Sequence, residues 1–163
     1  MNLFLRLFYV LVSGIFRRRL KILDASVLNL AVFPNDLDIY GHMNNGRYLT
    51  LMDLGRIDWI VRTGLDKAIE RNAWKPLVTS VKMNYKKSFL LFQSFTLRTR
   101  ILGWDAKYFY VEQVFEKDKF TYTAGIVKGL FRGPEGNVPT QTVLSLLEKG
   151  IISPGLPAEI QGL

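Results

Sequence analysis

The chain changes period at Pro76. From there to about residue 132, four segments (about 77–88, 90–103, 107–117 and 120–132) read as β-strands. Leu97, Thr99 and Ile101 alternate with Arg98, Arg100 and Leu102. Tyr108, Tyr110, Glu112 and Val114 alternate with Phe109, Val111, Gln113 and Phe115. Successive strand residues point to opposite faces, so this alternation marks a sheet. Gly103-Trp-Asp105 and Lys117-Asp-Lys119 are links of hairpin length, which makes the strands they join antiparallel. Upstream of Pro76 the spacing is helical. Tyr48, Met52, Gly55 and Trp59 recur along residues 46–63, with Leu49, Leu51, Leu54 and Ile60 beside them. Asn44 or Asn45 suits the N-cap, and Gly64 stands where a helix C-terminal glycine belongs. Residues 66–72 add one or two helical turns, and residues 26–33 form a strand that Pro34 stops. Residues 141–149 form a short amphipathic helix before a Pro/Gly-rich tail. One long helix with a mainly antiparallel sheet makes an α+β domain, the helix covering one face of a curved sheet. Such a layout leaves an edge strand and apolar surface, which dimerisation covers.

A chain of 163 residues, 48% apolar and 13% aromatic, builds one domain with a full core. It has no cysteine, which excludes disulfides, thiolate metal sites and a cysteine nucleophile. His42 is the only histidine and no HExxH spacing exists, so no metal is expected. Of the net charge of +8, five come from Arg6, Arg17, Arg18, Arg19 and Lys21, with no acid before residue 24. The remaining body is only mildly basic and does not call for nucleic acid.

The division expected is an N-terminal helix over 1–25, a folded domain over 26–150 and a tail over 151–163. Residues 1–16 are apolar but fall short of the roughly 20 needed to cross a bilayer, and Arg6 interrupts them. The charges follow the apolar run and no small-residue cleavage site is evident, unlike a secretory signal. At helical spacing Asn2, Arg6, Tyr9, Ser13 and Arg17 form one narrow polar stripe. Leu3, Phe4, Leu7, Phe8, Leu11, Val12, Ile15 and Phe16 form a wide apolar face that must be buried somewhere. Two places suit it. One is a membrane interface, with residues 1–21 in peripheral contact and the basic cluster at anionic headgroups. The other is the domain itself or a partner subunit. A cytoplasmic location, with or without membrane contact, is the expectation.

The chemistry concentrates in Asp36-Leu-Asp-Ile-Tyr-Gly-His-Met-Asn-Asn45. Two carboxylates, the only imidazole and two amides lie within ten residues and lead into the start of the longest helix. The first N–H groups of a helix lack intrahelical partners and carry partial positive charge. They can stabilise a carbonyl oxygen that becomes an oxyanion, while an upstream carboxylate attacks the carbonyl or deprotonates water. Asp and Asn in such a loop also serve as plain turn and cap residues.

The stretch from Asp36 to Leu49, continued by Asp53-Leu-Gly-Arg56, resembles the signature of the 4-hydroxybenzoyl-CoA thioesterase-like hotdog superfamily. It is especially similar to its small thioesterase-superfamily-member acyl-CoA thioesterases. The resemblance covers about residues 26–132 and implies a hotdog fold, a curved antiparallel sheet wrapped around one central helix. It implies hydrolysis of a fatty-acyl or aryl thioester of coenzyme A or acyl carrier protein by a homodimer or homotetramer. Coenzyme A would be part of the substrate, with no separate cofactor. It assigns Asp38 as nucleophile or general base and the backbone N–H near Asn45 as the group polarising the carbonyl. The loop also resembles that of plant acyl-ACP thioesterases, in which a histidine and an asparagine assist. His42 matches the histidine. Tyr40 stands at the asparagine position, so that part of the machinery is absent or replaced. Tyr48 and Asp53 are candidate substrate contacts, Asp53 pairing with Arg56 or orienting His42. Lys86, Lys87 and Arg98, with Arg100 and Arg132, are candidates for the coenzyme A phosphates. A hotdog hydratase or dehydratase is a rival, but such enzymes resemble a histidine followed about four turns later by an acid, or an Asp-x-Asn-Pro-x-His loop. Arg56 occupies the former position and no Asn-Pro occurs in the loop. A second rival is a non-catalytic acyl- or lipid-binding module at a membrane.

Overall fold

Asn44 caps the long helix α2 (Asn45–Thr63), its side-chain oxygen accepting the Gly46 N–H at 2.8 Å. Gly64 closes it in the left-handed conformation, its N–H directed to the Ile60 and Val61 carbonyls. In the computed structural model, which describes residues 3–148 and 150–160, this helix is the axis of the fold. Before it come α1 (Leu3–Phe16) and β1 (Ser26–Ala31). After it come α3 (Leu65–Arg71), β2 (Lys75–Tyr85), β3 (Ser94–Trp104), β4 (Phe109–Lys117), β5 (Phe120–Gly133), β6 (Gly136–Val138) and α4 (Thr140–Ser145). Asn2 of the polar stripe, Lys149 and residues 161–163 of the tail lie outside the described residues.

The strands form one antiparallel sheet in the order β1-β3-β4-β5-β2, with β6 also pairing to β5. This curled sheet around α2 is the hotdog fold. Several boundaries differ from the periodicity by two to four residues, among them the end of α4 at Ser145, and two flank the loop between β2 and β3. The segment expected to begin at residue 90 begins at Ser94, because Leu90 to Gln93 form a turn. Phe92 there has φ +59°, and the Gln93 side chain accepts the Leu90 N–H at 3.0 Å. The segment expected over 77–88 leaves the sheet after Tyr85, where the N–H groups of Lys86 and Lys87 both turn onto the Tyr122 carbonyl at 2.9 Å.

The helix lies close on the sheet because position 55 has no side chain. A Cβ at Gly55 would come 2.4 Å from Thr99 Oγ1 and 2.8 Å from Gln113 Nε2. Both groups are buried and already committed. Gln113 Nε2 donates to Thr99 Oγ1 at 2.9 Å and to the Met52 carbonyl at 2.8 Å. Gly55→Ala is therefore expected to cost about 1–3 kcal/mol through overpacking, read as a lower urea midpoint with unchanged slope.

Leu51, Met52 and Tyr48 on α2 pack with Leu97, Phe89 and Phe115 around its first half. Trp59 begins a second cluster with Ile101, Phe109, Phe131 and Leu144. Tyr48 belongs to the first cluster. Its ring is fully buried, 5.0 Å from that of Phe115 and 5.4 Å from that of Tyr85.

The rotation of α1 departs from what its hydrophobicity suggests. The helix packs on the domain through a mixed face that includes Arg6 of the polar stripe, Val10, Gly14 and the half-buried Leu3 and Leu7. Arg6, Val10 and Gly14 are the buried positions, while Phe4, Phe8, Ile15 and Phe16 point outward. Packing of the apolar face against the domain is thus partial: Leu3 and Leu7 reach the core while the phenyl groups turn outward. The reason is two buried carboxylates. Arg6 meets Asp36, with Nη1 to Oδ1 at 3.1 Å and Nη2 to Oδ2 at 2.5 Å. Arg17 meets Asp58 at 3.1 Å. The same arginines cap the outer edge of β1, donating to the Ala31 and Val27 carbonyls. An exposed sheet edge invites pairing with another chain, and α1 closes this one. The β2 edge carries no such cover among the described residues, and most of its residues are exposed.

Candidate active site

Residues 37–43 fold back on themselves as a small loop. Leu37 bridges Met43 and His42 bridges Leu90. The Asp38 N–H donates to the His42 carbonyl at 2.8 Å, and the Gly41 N–H to the Asp38 carbonyl at 3.1 Å. Gly41 has φ +75° with open space around it, a left-handed turn that other residues adopt only with strain. Ile39 and Tyr40 form an exposed tip.

This turn holds the Asp38 carboxylate in one place. Its Oδ1 accepts the Tyr40 N–H at 2.9 Å and the His42 N–H at 3.2 Å. The second oxygen has no partner among the described residues. Asp38 is only partly buried, so that oxygen can meet a substrate. The His42 ring is exposed and makes no hydrogen bond among the described residues, so its backbone, not its imidazole, serves Asp38.

Seven residues on, the helix start offers a donor. The Asn44 side chain takes the Gly46 N–H and the Asn44 carbonyl takes the Arg47 N–H at 2.9 Å. The Asn45 N–H has no partner among the described residues. It stands at the positive end of a 19-residue helix.

Asp36 is a structural partner of this site that the motif did not single out. It is fully buried, and its carboxylate accepts from Arg6, from Arg47 Nε at 3.0 Å and Nη2 at 2.9 Å, and from the Phe33 N–H at 2.9 Å. Its carbonyl takes the Asn44 N–H at 2.8 Å. Burial pushes the Asp36 carboxyl pKa up, but the bonds from Arg6 and Phe33, the Arg6 charge and the Arg47 bond outweigh it. The net shift is below the ordinary value. One carboxylate thus ties α1, the loop and the first turn of α2 together. The sequence signal was Arg6 itself, since an arginine in an apolar helix must find an acceptor if it is buried.

The remaining candidates scatter. Asp53 forms an ion pair with Arg56 on the same helix, and Arg56 also donates to Gln113 Oε1 at 2.7 Å. Asp53 does not bond His42. Arg98 is held between Glu112 and Glu116, at 3.5 Å from each. Arg100 pairs with Glu112 at 2.6 Å. Lys86 and Lys87 are exposed, with Lys87 Nζ 4.9 Å from the Tyr122 ring centre. Arg132 is exposed on β5. Tyr48 is enclosed in the core and presents no surface to a ligand.

A cavity of about 360 Å³ opens between α2 and the sheet. Ile57, Leu77, Val111, Val127 and Phe131 are among its apolar walls, and Asp53, Arg56 and Thr99 are its polar members. Asp38 and His42 do not line it. Leu77 and Val78 on the open β2 edge do.

A model of the thioesterase-like superfamily matches residues 32–133, from the loop to the end of β5. The Xenopus laevis protein THEM6 is 35% identical over 129 residues, 79% of this chain. The chain spans 62% of that relative's length. The gentisyl-coenzyme A thioesterase BH1999 has a similar fold, with a TM-score of 0.66 at 18% identity, over 75% of this chain and 98% of its own. The DHNA-CoA thioesterase of Staphylococcus aureus does too, with a TM-score of 0.65 at 17% identity over 72% of this chain and 82% of its own. The chain belongs to the thioesterase-like superfamily.

Proposed function

We propose that the chain hydrolyses an acyl-coenzyme A thioester, fatty-acyl or aryl, to the free acid and coenzyme A. One observation carries this. An aspartate with a free carboxylate oxygen and an unpartnered helix N-terminal N–H lie seven residues apart, joined by one rigid loop. The Asn45 N–H donates to the thioester carbonyl oxygen and stabilises it as negative charge develops. Asp38 then either attacks the carbonyl carbon or takes a proton from a water that attacks it. In both routes the C–S bond breaks, the thiolate leaves and is protonated, and water supplies the new acid oxygen. His42 assists through its backbone N–H, which holds Asp38 Oδ1. Two similar folds are named for coenzyme A thioesters, which favours that carrier over acyl carrier protein.

A second copy pairing along β2 would cover the cavity that Leu77 and Val78 help to line, giving an acyl group an enclosed apolar site. Of the basic candidates, Lys86 and Lys87 suit the phosphates best, because Arg98 already serves two glutamates. Replacing both lysines by alanine is expected to raise KM about three- to tenfold with kcat unchanged, since phosphate contacts far from the carbonyl act on ground state and transition state alike.

The experiment is thiol release across a panel of acyl-CoA thioesters of varied chain length, with acyl-ACP as a second arm. A cysteine-free chain gives no background with a thiol reagent. Absence of release from every member would overturn the assignment. Addition of water to an enoyl-CoA would place the chain with the hydratases instead.

A further inference from the structure

The outer face of α1 has no cover among the described residues. Phe4, Phe8, Ile15 and Phe16 are 74%, 67%, 68% and 84% exposed, and Leu5 and Leu11 continue the patch. Every residue that α1 exposes is apolar or, at Tyr9, aromatic with one hydroxyl. A soluble surface rarely carries so continuous an apolar patch without a partner for it.

The rotation that produces this patch is locked. Arg6 is held by Asp36 at one end of the helix and Arg17 by Asp58 at the other. Asp58 is itself buried and also accepts the Ser26 hydroxyl at 2.5 Å and an Arg62 N–H at 3.4 Å. The chain leaving the helix is clamped as well, since the Arg62 guanidinium donates twice to the Arg18 carbonyl at 3.0 and 2.9 Å. Turning the apolar face inward would remove one cation from each of two buried carboxylates and strip the buried Arg6 of its acceptors. The outward orientation is therefore a built feature of the fold.

The charge beside the patch points to its occupant. The apolar face runs directly into Arg18, Arg19 and Lys21, all exposed. Residues 3–23 contain no acid, and Asp24 just beyond them pairs with Arg18 at 3.5 Å while leaving that arginine 82% exposed. A second copy of this chain would bring the same positive cluster and a net charge of +8 to the contact. A surface that is apolar below and anionic above satisfies both parts. We infer that α1 is an interfacial helix that seats the domain on an anionic lipid bilayer. Its phenyl and aliphatic side chains enter the headgroup boundary and Arg18, Arg19 and Lys21 meet the phosphates. At 14 residues the helix is about 21 Å long, so it lies in the interface plane and does not cross. Because Arg6 on its inner face grips Asp36, the loop that carries Asp38 is tied to the docking element.

Flotation with vesicles of phosphatidylcholine, with and without phosphatidylserine, tests this on the full chain. The expected result is binding to the mixed vesicles that weakens as salt is raised, because the basic residues contribute through a screened attraction. Phe8→Asp combined with Phe16→Asp is expected to lower the partition coefficient at least about tenfold. Both positions are exposed, so circular dichroism and the melting midpoint should not move. Arg18→Glu combined with Lys21→Glu should abolish the preference for phosphatidylserine and leave the fold intact. Equal flotation of wild type and the aspartate variant would overturn the inference, as would absence of wild-type flotation with either vesicle. So would an oligomer in sedimentation that the aspartate variant disperses while no vesicle is bound, because the face would then belong to a second copy. None of these readouts depends on thioester cleavage.

Discussion

Asp38→Asn is expected to lower kcat for thioester cleavage by about 10²–10⁴-fold while leaving KM within about twofold. The substitution is close to isosteric. The amide oxygen of asparagine can still accept the Tyr40 and His42 N–H groups, so the turn around Gly41 keeps its shape. What disappears is the second carboxylate oxygen and its charge, which the proposed mechanism uses as nucleophile or base. The helix-start N–H of Asn45 is untouched, and its share of oxyanion stabilisation should leave residual activity above that of water. Steady-state thiol release measures the loss, and an unchanged melting curve excludes unfolding as its cause. Undiminished activity in the variant would remove Asp38 from the mechanism. Single-turnover hydrolysis in ¹⁸O-water separates the two routes, because only direct attack leaves the isotope in the Asp38 carboxylate.

Arg6→Met is expected to destabilise the protein by about 3–5 kcal/mol, the typical cost of leaving a buried charge without one of its partners. Arg6 and Asp36 are both fully buried, so solvent cannot take over the lost role. Arg47 and the Phe33 N–H remain on Asp36 and set the lower end of that range. The pH dependence gives the same pair a second signature. In the folded protein the Asp36 carboxyl lies below its ordinary value, as the arginine and N–H bonds overcome the upward push of burial. A depressed carboxyl contributes stability that is complete above the ordinary carboxylate range and is lost as pH falls through it toward the folded value. Without Arg6 much of that contribution is absent at every pH. Wild type and variant should therefore differ most near neutrality and converge as the pH falls below about 4. Urea melts from pH 7 to pH 3 test this, and a difference that does not change with pH would mean Arg6 acts through packing alone.

The parts of the fold that local spacing governs were legible in the chain. Period-two alternation placed Leu97, Thr99 and Ile101 on one face, and all three are buried there. The Asn44 cap and the Gly64 terminus bound α2 where the residue types suggested. These are short-range matters, settled by hydrogen bonds and side-chain direction within a few residues. The turn that delays β3 to Ser94 escaped because Phe92 adopts a positive φ that its residue type does not advertise. Tyr48 lay within the motif, yet its spacing could not distinguish a ring facing a ligand from one facing Phe115 and Tyr85.

The Asp38-to-Asn45 unit and the antiparallel α+β plan were thus set by the sequence alone, since cap, turn and pleat act over a few residues. The facing of α1 was decided only in three dimensions. Hydropathy favours burying its phenyl and leucyl side, but the Asp36 and Asp58 carboxylates lie 30 and 41 residues from Arg6 and Arg17. Burying Arg6 away from its acceptors and taking one cation from each of two buried carboxylates costs more than an exposed apolar stripe, so the two pairs outweigh the hydrophobic gain. The same holds for which sheet edge is closed. That the arginines of α1 cap β1 and leave β2 open follows from where the folded chain brings α1, not from any pattern within either strand.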